Sequence, residues 1–125
     1  MRMGREMKKS IRIELPEPVS VNRAYRTYQG RMLISREGRA YKKAVALLVR
    51  ASRLCFTNKE RLQVCATVHF RDRRRRDLDN LGKLMLDAMQ DGGLYQDDSQ
   101  IDDLRYIRGE VDKANPRVIV TVTET

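Results

Sequence analysis

The chain has no tryptophan and only two cysteines, three prolines and one histidine in 125 residues. Cys55 and Cys65 have no companions at metal-ligand spacing, which excludes a cysteine-based zinc module and any dense disulfide framework. They read as buried or incidental thiols of a reducing compartment. No apolar run approaches the roughly 20 residues that a membrane-spanning helix needs. The opening MRMGREMKKS is basic, but IRIEL follows it where a secretory signal would carry an apolar core, so secretion is not expected. Internal repeats, low-complexity tracts and interdomain linkers are also missing. A single domain spanning 1–125 is expected, with residues 1–10 as a poorly ordered basic extension.

What the chain does have is positive charge. Lysine and arginine number 26 against 17 acids, a formal charge of +9. Such an excess favours polyanions, nucleic acid above all, with a merely solvated basic surface as the plain alternative.

Hydrophobic spacing gives a mixed set of elements. Ile11, Ile13 and Leu15 alternate with polar residues as in a half-buried strand. Residues 16–30, punctuated by proline and rich in tyrosine and arginine, read as a long loop, and RMLIS as a short strand. Ser35 is placed to cap the following helix, in which Tyr41, Ala44, Val45, Leu48 and Ala51 share a face. LQVCATVHF alternates strictly, with Val64, Ala66, Val68 and Phe70 on one side. Leu81, Leu84, Met85, Ala88 and Met89 make a second amphipathic helix, stopped by glycines. LYQDDSQIDD reads as an acidic connection, and LRYIRGEV and RVIVTVTET as two final strands. The expected architecture is a single small α/β (α+β) domain, a mixed sheet with two main helices.

The stretch RRRRDLDN, residues 73–80, segregates its charges. Five arginines within 71–76 repel one another, and a phosphate backbone relieves that repulsion because each guanidinium grips phosphate through two planar donors. The plain alternative is a hydrated loop paired with the acids downstream. Asp77 and Asp79 beside the run would repel DNA unless a divalent ion reverses their sign. Mg²⁺ takes oxygen ligands, commonly one or two carboxylates with substrate phosphate. Residues two apart on an extended segment project to the same side, so these two are candidates to share an ion. A helix cap, or an ion pair of Asp79 with Lys83, accounts for one aspartate equally well. Past the glycines, Asp97, Asp98, Asp102 and Asp103 are solvated loop charges, unless the return of the chain brings Asp97 or Asp98 to Asp77 and Asp79. Three carboxylates and Lys83 beside an arginine-lined surface would suit metal-assisted phosphodiester hydrolysis. Tyr25, Tyr28 and Tyr95 are candidates for base stacking, with ordinary packing as the alternative. His69 reads as structural.

RRRRDLDNLGKLMLDAM followed by GLYQDD resembles the RusA family of Holliday junction resolvases, endonucleases common in phages and prophages. LPEPVSVNRAYR resembles the family's proline–serine–asparagine loop, ISREGRAYKKAV its first helix, and VTVTET its last strand. The likeness therefore runs from about Ile11 to the end. Val19 departs from the pattern where a second proline is common, as do Tyr95 and Gln96 before the aspartate pair. The resemblance implies a RusA-like fold and a homodimer that binds four-way DNA junctions. It also implies paired, symmetric cuts with Mg²⁺, for which Mn²⁺ substitutes, in the cytoplasm of a bacterial or phage-infected cell, with no membrane association and no nucleotide or organic cofactor. Carried over by position, Asp77, Asp79 and Asp98 would hold the metal, with Asp97 the less favoured member of its pair, and Lys83 would assist. Asn22, Arg23, Tyr25, Arg73, Arg74, Arg75, Arg76, Asn80 and Tyr95 fall on the DNA-binding side. The alternatives are a non-catalytic junction-binding protein and a nuclease for flaps or forks.

Overall fold

A computed structural model describes residues 8–125, so most of the expected basic extension lies outside the described residues. The elements are β1 (Ser10–Pro16), α1 (Val21–Ala24), β2 (Tyr25–Tyr28), β3 (Arg31–Ile34), α2 (Arg36–Ser52), β4 (Leu62–His69), α3 (Gly82–Asp91), β5 (Ile101–Arg108) and β6 (Arg117–Glu124). Short 3₁₀ turns at Leu78–Asn80 and Asp98–Gln100 flank α3. The main sheet runs in the order β1-β6-β4-β5, while β2 and β3 form a separate hairpin. β4 lies antiparallel to β6 and parallel to β5. The expected mixed sheet with two main helices is therefore present. The loop expected over 16–30 also contains the one-turn α1 and strand β2.

The alternating strands put their apolar residues on one face, where α2 and α3 cover them. Val64, Ala66, Val68, Val118, Val120 and Val122 meet Val45, Val49, Leu84, Met85, Ala88 and Met89 in one buried core. Each large aliphatic side chain buried this way contributes roughly 1.5–3 kcal/mol. Ser35 caps α2, its hydroxyl accepting from the Gly38 N–H at 3.0 Å. The inward face of α2 is turned from the expected one. Tyr41, Val45, Ala46 and Val49 are buried, while Ala44, Leu48 and Ala51 are exposed. Apolar residues on both sides of this stripe leave its spacing ambiguous, and packing against α3 decides it. A Cβ on Gly92 would sit 2.7 Å from Val49 Cβ, so that glycine permits the close approach of α3's end to α2. Gly93, at φ +89, takes the left-handed turn that redirects the chain.

β5 begins at Ile101, paired with Leu62, rather than at Leu104. The acidic connection is thus partly strand, and Asp102 and Asp103 belong to the sheet edge. α3 carries the chain from the end of β4 back to the level of β4's start, as two parallel neighbours require.

Candidate active site

The arginine run begins where β4 ends. Phe70 is buried, and the chain then turns outward over it. Arg71 is clasped by Glu17, which accepts its backbone N–H and its Nε, each at 2.9 Å. Asp72 accepts the Arg74 N–H at 3.0 Å and Arg76 Nη1 at 2.7 Å. Those bonds hold its carboxyl below the ordinary 3.8, the Arg76 bond contributing most. The Arg76 guanidinium lies 4.9 Å from the Phe70 ring centre, and Arg108, from the end of β5, lies 5.1 Å from the same ring. Arg108 also donates to the Arg76 carbonyl at 2.5 Å. Arg71 and Arg76 are therefore tied down by side-chain partners, Arg71 while still exposed, and Arg73, Arg74 and Arg75 stand exposed beside them. The partners that order the run are the upstream Glu17 and Asp72, not the downstream acids.

A cleft of about 450 Å³ opens beside this run. Asn22 and Arg23 of α1 line it together with Arg74, Arg75, Arg76, Asp77 and Asn80, so these expected residues do converge. Five arginines against three carboxylates leave its wall positive, which suits a phosphate backbone. Arg73 lines a different depression, shared with Phe70 and Arg108.

Asp77 is extended, at φ −91 and ψ 123, directly before the 3₁₀ turn that contains Asp79. Leu78 and Leu81 turn toward the core and leave Asp77 and Asp79 exposed. Neither aspartate caps α3. Leu81 holds the cap position, and Asp77 makes no side-chain cap bond to the turn it precedes. Among the described residues, neither carboxylate accepts a hydrogen bond or forms an ion pair. The expected pair of Asp79 with Lys83 is likewise not made. The Lys83 ammonium lies 5.1 Å from the centre of the Tyr25 ring, joining the start of α3 to the foot of the β2–β3 hairpin. Tyr106 fixes the same turn from below, since a Cβ at Gly82 would lie 1.8 Å from its hydroxyl oxygen.

Asp98 stands elsewhere. Its backbone N–H donates to the Gln90 side chain at 3.0 Å, beside the last turn of α3. Asp98 is exposed, but some loss of hydration, then Asp97 and Asp87, raise its carboxyl above the ordinary 3.8. Asp97 is tied into a capping box at the second 3₁₀ turn and accepts from the Ser99 N–H at 2.9 Å. The expected approach of Asp97 or Asp98 to Asp77 and Asp79 is thus not made within one chain, because the crossover from β4 to parallel β5 carries the return toward the other end of α3. Tyr95 also needs correcting. It is fully buried, with its hydroxyl donating to the Leu86 carbonyl at 2.5 Å, and offers no face to DNA. Sequence reading missed Glu17, Asp72 and Arg108, which order the arginines; no motif flags them, because their partners are distant in the chain or set by the turn.

Among the described residues, no group of three or more histidine, cysteine or carboxylate side chains is arranged to hold a metal ion. Asp77 and Asp79 nonetheless suit a hard divalent cation: both are exposed carboxylates without a hydrogen-bond or ion-pair partner among the described residues, beside an arginine-rich cleft. This donor set fits an ion shared by one or two carboxylates and substrate oxygens, not a preformed three-carboxylate cage.

Residues 16–123 match the family model described as endodeoxyribonuclease RusA. The chain is 42% identical over 112 residues to the crossover junction endodeoxyribonuclease rusA of Enterobacteria phage 82, covering 90% of this chain and 92% of that relative. It is 40% identical over 112 residues to the protein of the same name from Escherichia coli K12, with the same coverage. The relative from Enterobacteria phage HK97 is 38% identical over 110 residues, covering 88% of this chain and 91% of its own length.

Proposed function

This chain belongs to the RusA family of endodeoxyribonucleases, and from that premise we propose that it resolves four-way DNA junctions by metal-dependent hydrolysis of paired phosphodiester bonds. The observation that carries this reading is the arginine-walled cleft ending at Asp77 and Asn80. Arg23, Arg74 and Arg75 neutralise and position the backbone; contacts of this kind set register without reading sequence. Asp77 and Asp79 would hold Mg²⁺ or Mn²⁺ at the end of that track, where the ion supplies charge neutralisation at the phosphorus and an activated water. Lys83, in the first turn of α3, adds a cation for the charge that develops on the phosphoryl oxygens. Resolution needs two incisions, and a two-fold homodimer supplies two sites. Asp98 does not form a metal-holding group with Asp77 and Asp79 among the described residues of one chain, so a site using all three would draw Asp98 from the second copy. The reaction takes place on cytoplasmic DNA of a bacterium or an infected cell.

Purified protein incubated with a synthetic four-way junction and Mg²⁺ should give symmetric cuts that EDTA abolishes. Asp77→Asn should stop cutting while junction binding is kept or tightened, because a charge that repels phosphate is gone. Unaltered cutting by that variant would refute the assignment. Binding without incision in either metal would instead favour a non-catalytic junction-binding protein.

A further inference from the structure

The β2–β3 hairpin has two faces with different surroundings. Register pairs Tyr25 with Ile34 and Thr27 with Met32 on one face, and Arg26 with Leu33 and Tyr28 with Arg31 on the other. Tyr25 and Ile34 pack against the core and anchor the hairpin. Gln29 at φ +51 and Gly30 at φ +74 close it with the two left-handed residues that a tight hairpin turn requires. On the second face, Tyr28 is 60% and Leu33 43% exposed. Together with Arg26 and Arg39, and with Ile34 at the hairpin's base, they line a shallow depression of about 330 Å³. Arg39 is held there by donating to the Ile34 carbonyl at 2.9 Å.

A contiguous exposed apolar patch, unlike a scattered apolar residue, marks a contact site. Here its charge points to the occupant. Residues 18–36 contain no acid, and the arginines around Tyr28 have no carboxylate within the hairpin to pair with. A second copy presenting the same face would set arginine against arginine. Nucleic acid satisfies both components, since a base stacks on an aromatic ring while guanidiniums hold its phosphates. The hairpin is also continuous with the cleft: Asn22 and Arg23 line it, and β2 follows α1 without a break.

We propose that this face of the hairpin is a nucleobase-binding platform, with Tyr28 stacking on a base that has lost its neighbour at the DNA branch point. The inference deepens the junction reading above and rests on it. In continuous duplex every base is already stacked, so the platform engages only where the stack is interrupted. It therefore confers preference for branched over linear DNA, not affinity for DNA in general.

The test compares binding to a four-way junction and to a linear duplex of the same arm sequence, by fluorescence anisotropy without divalent metal. Tyr28→Ala should weaken junction binding by about tenfold, the scale of one lost base stack, and leave duplex binding within about twofold. Tyr28→Phe, which keeps the ring, should restore the preference. Met32→Ala, on the opposite face, should not alter it. Equal loss on both DNAs, no loss on either, or an equal effect of Met32→Ala would overturn the platform. A change in the mass of the free protein on Tyr28→Ala would overturn it in favour of self-association. If the wild-type protein cuts junctions and only the Tyr28 result fails, the platform falls and the junction reading stands. If wild type neither prefers nor cuts junctions, the junction reading itself falls.

Discussion

At the arginine end of the molecule, Asp77 and Asp79 stand exposed with no partner among the described residues, although five arginines lie within a few residues of them. At the other end of α3 the acids are tied down. Asp102 accepts Arg61 Nη2 at 2.5 Å, Asp103 accepts Gln63 at 2.9 Å and Arg105 at 3.0 Å, and Asp97 caps its turn. Each of these three carboxyls is held below 3.8 by its hydrogen bonds. Asp98 is the exception there, raised by some loss of hydration and by its acidic neighbours. An acid whose oxygens are occupied stabilises the fold, whereas one left without donors beside a positive wall is available to something from outside.

Asp77→Asn and Asp79→Asn break this contrast most severely. Each should lower the cleavage rate by at least ~10²–10³-fold, the cost of losing one group that stabilises transition-state charge, with Tm unchanged. Next comes a mixed assembly of Asp77→Asn chains with Asp98→Asn chains. If Asp98 acts across the dimer, one intact site survives per heterodimer and the junction is nicked once. If it acts within its own chain, no site survives and no cut appears on a denaturing gel. A smaller effect is expected of Arg74→Ala combined with Arg75→Ala. Each phosphate contact removed should flatten the slope of log K against log salt by about 0.9, read from anisotropy titrations.

The smallest effects separate the two kinds of acid by stability. Asp102 has a lowered pKa, so its contribution is complete above 3.8 and is lost as pH falls through the folded-state value. Asp102→Asn should thus lower Tm slightly at pH 7, lose that difference in strong acid, and leave cutting intact. Asp98 has the opposite sign. Its ionisation is opposed in the fold by Asp97 and Asp87, and Tyr95 lies close enough to feel its charge. The stability it contributes is present below 3.8 and lost as pH rises through its folded-state value. Asp98→Asn should therefore raise Tm at pH 7 but not in strong acid, while cutting is lost, a trade of stability for activity. Calorimetry at the two pH values checks both signs.

Much of this was legible in the sequence because it is periodic. The alternation of Val64, Ala66, Val68 and Phe70 and the spacing of Leu81, Leu84, Met85, Ala88 and Met89 identify the buried faces of β4 and α3 without tertiary information. The charge segregation at 73–80 located the cleft. What was not legible depends on direction and distance. That β5 runs parallel to β4, and so carries Asp98 away from Asp79, is a property of strand order that no local pattern encodes. Tyr95 was misjudged because an aromatic beside acids looks alike whether its hydroxyl meets water or the Leu86 carbonyl. The α2 face was misjudged because Leu47 and Leu48 are apolar yet exposed.

The seating of α3 has one further consequence. Gly92 presses its end against Val49, and Gly82 presses its start beneath Tyr106, so the helix cannot slide along the sheet. Gly82→Ala, an interior substitution that touches no DNA, would force either Tyr106 or the start of α3 to give way, next to the turn that carries Asp77 and Asp79.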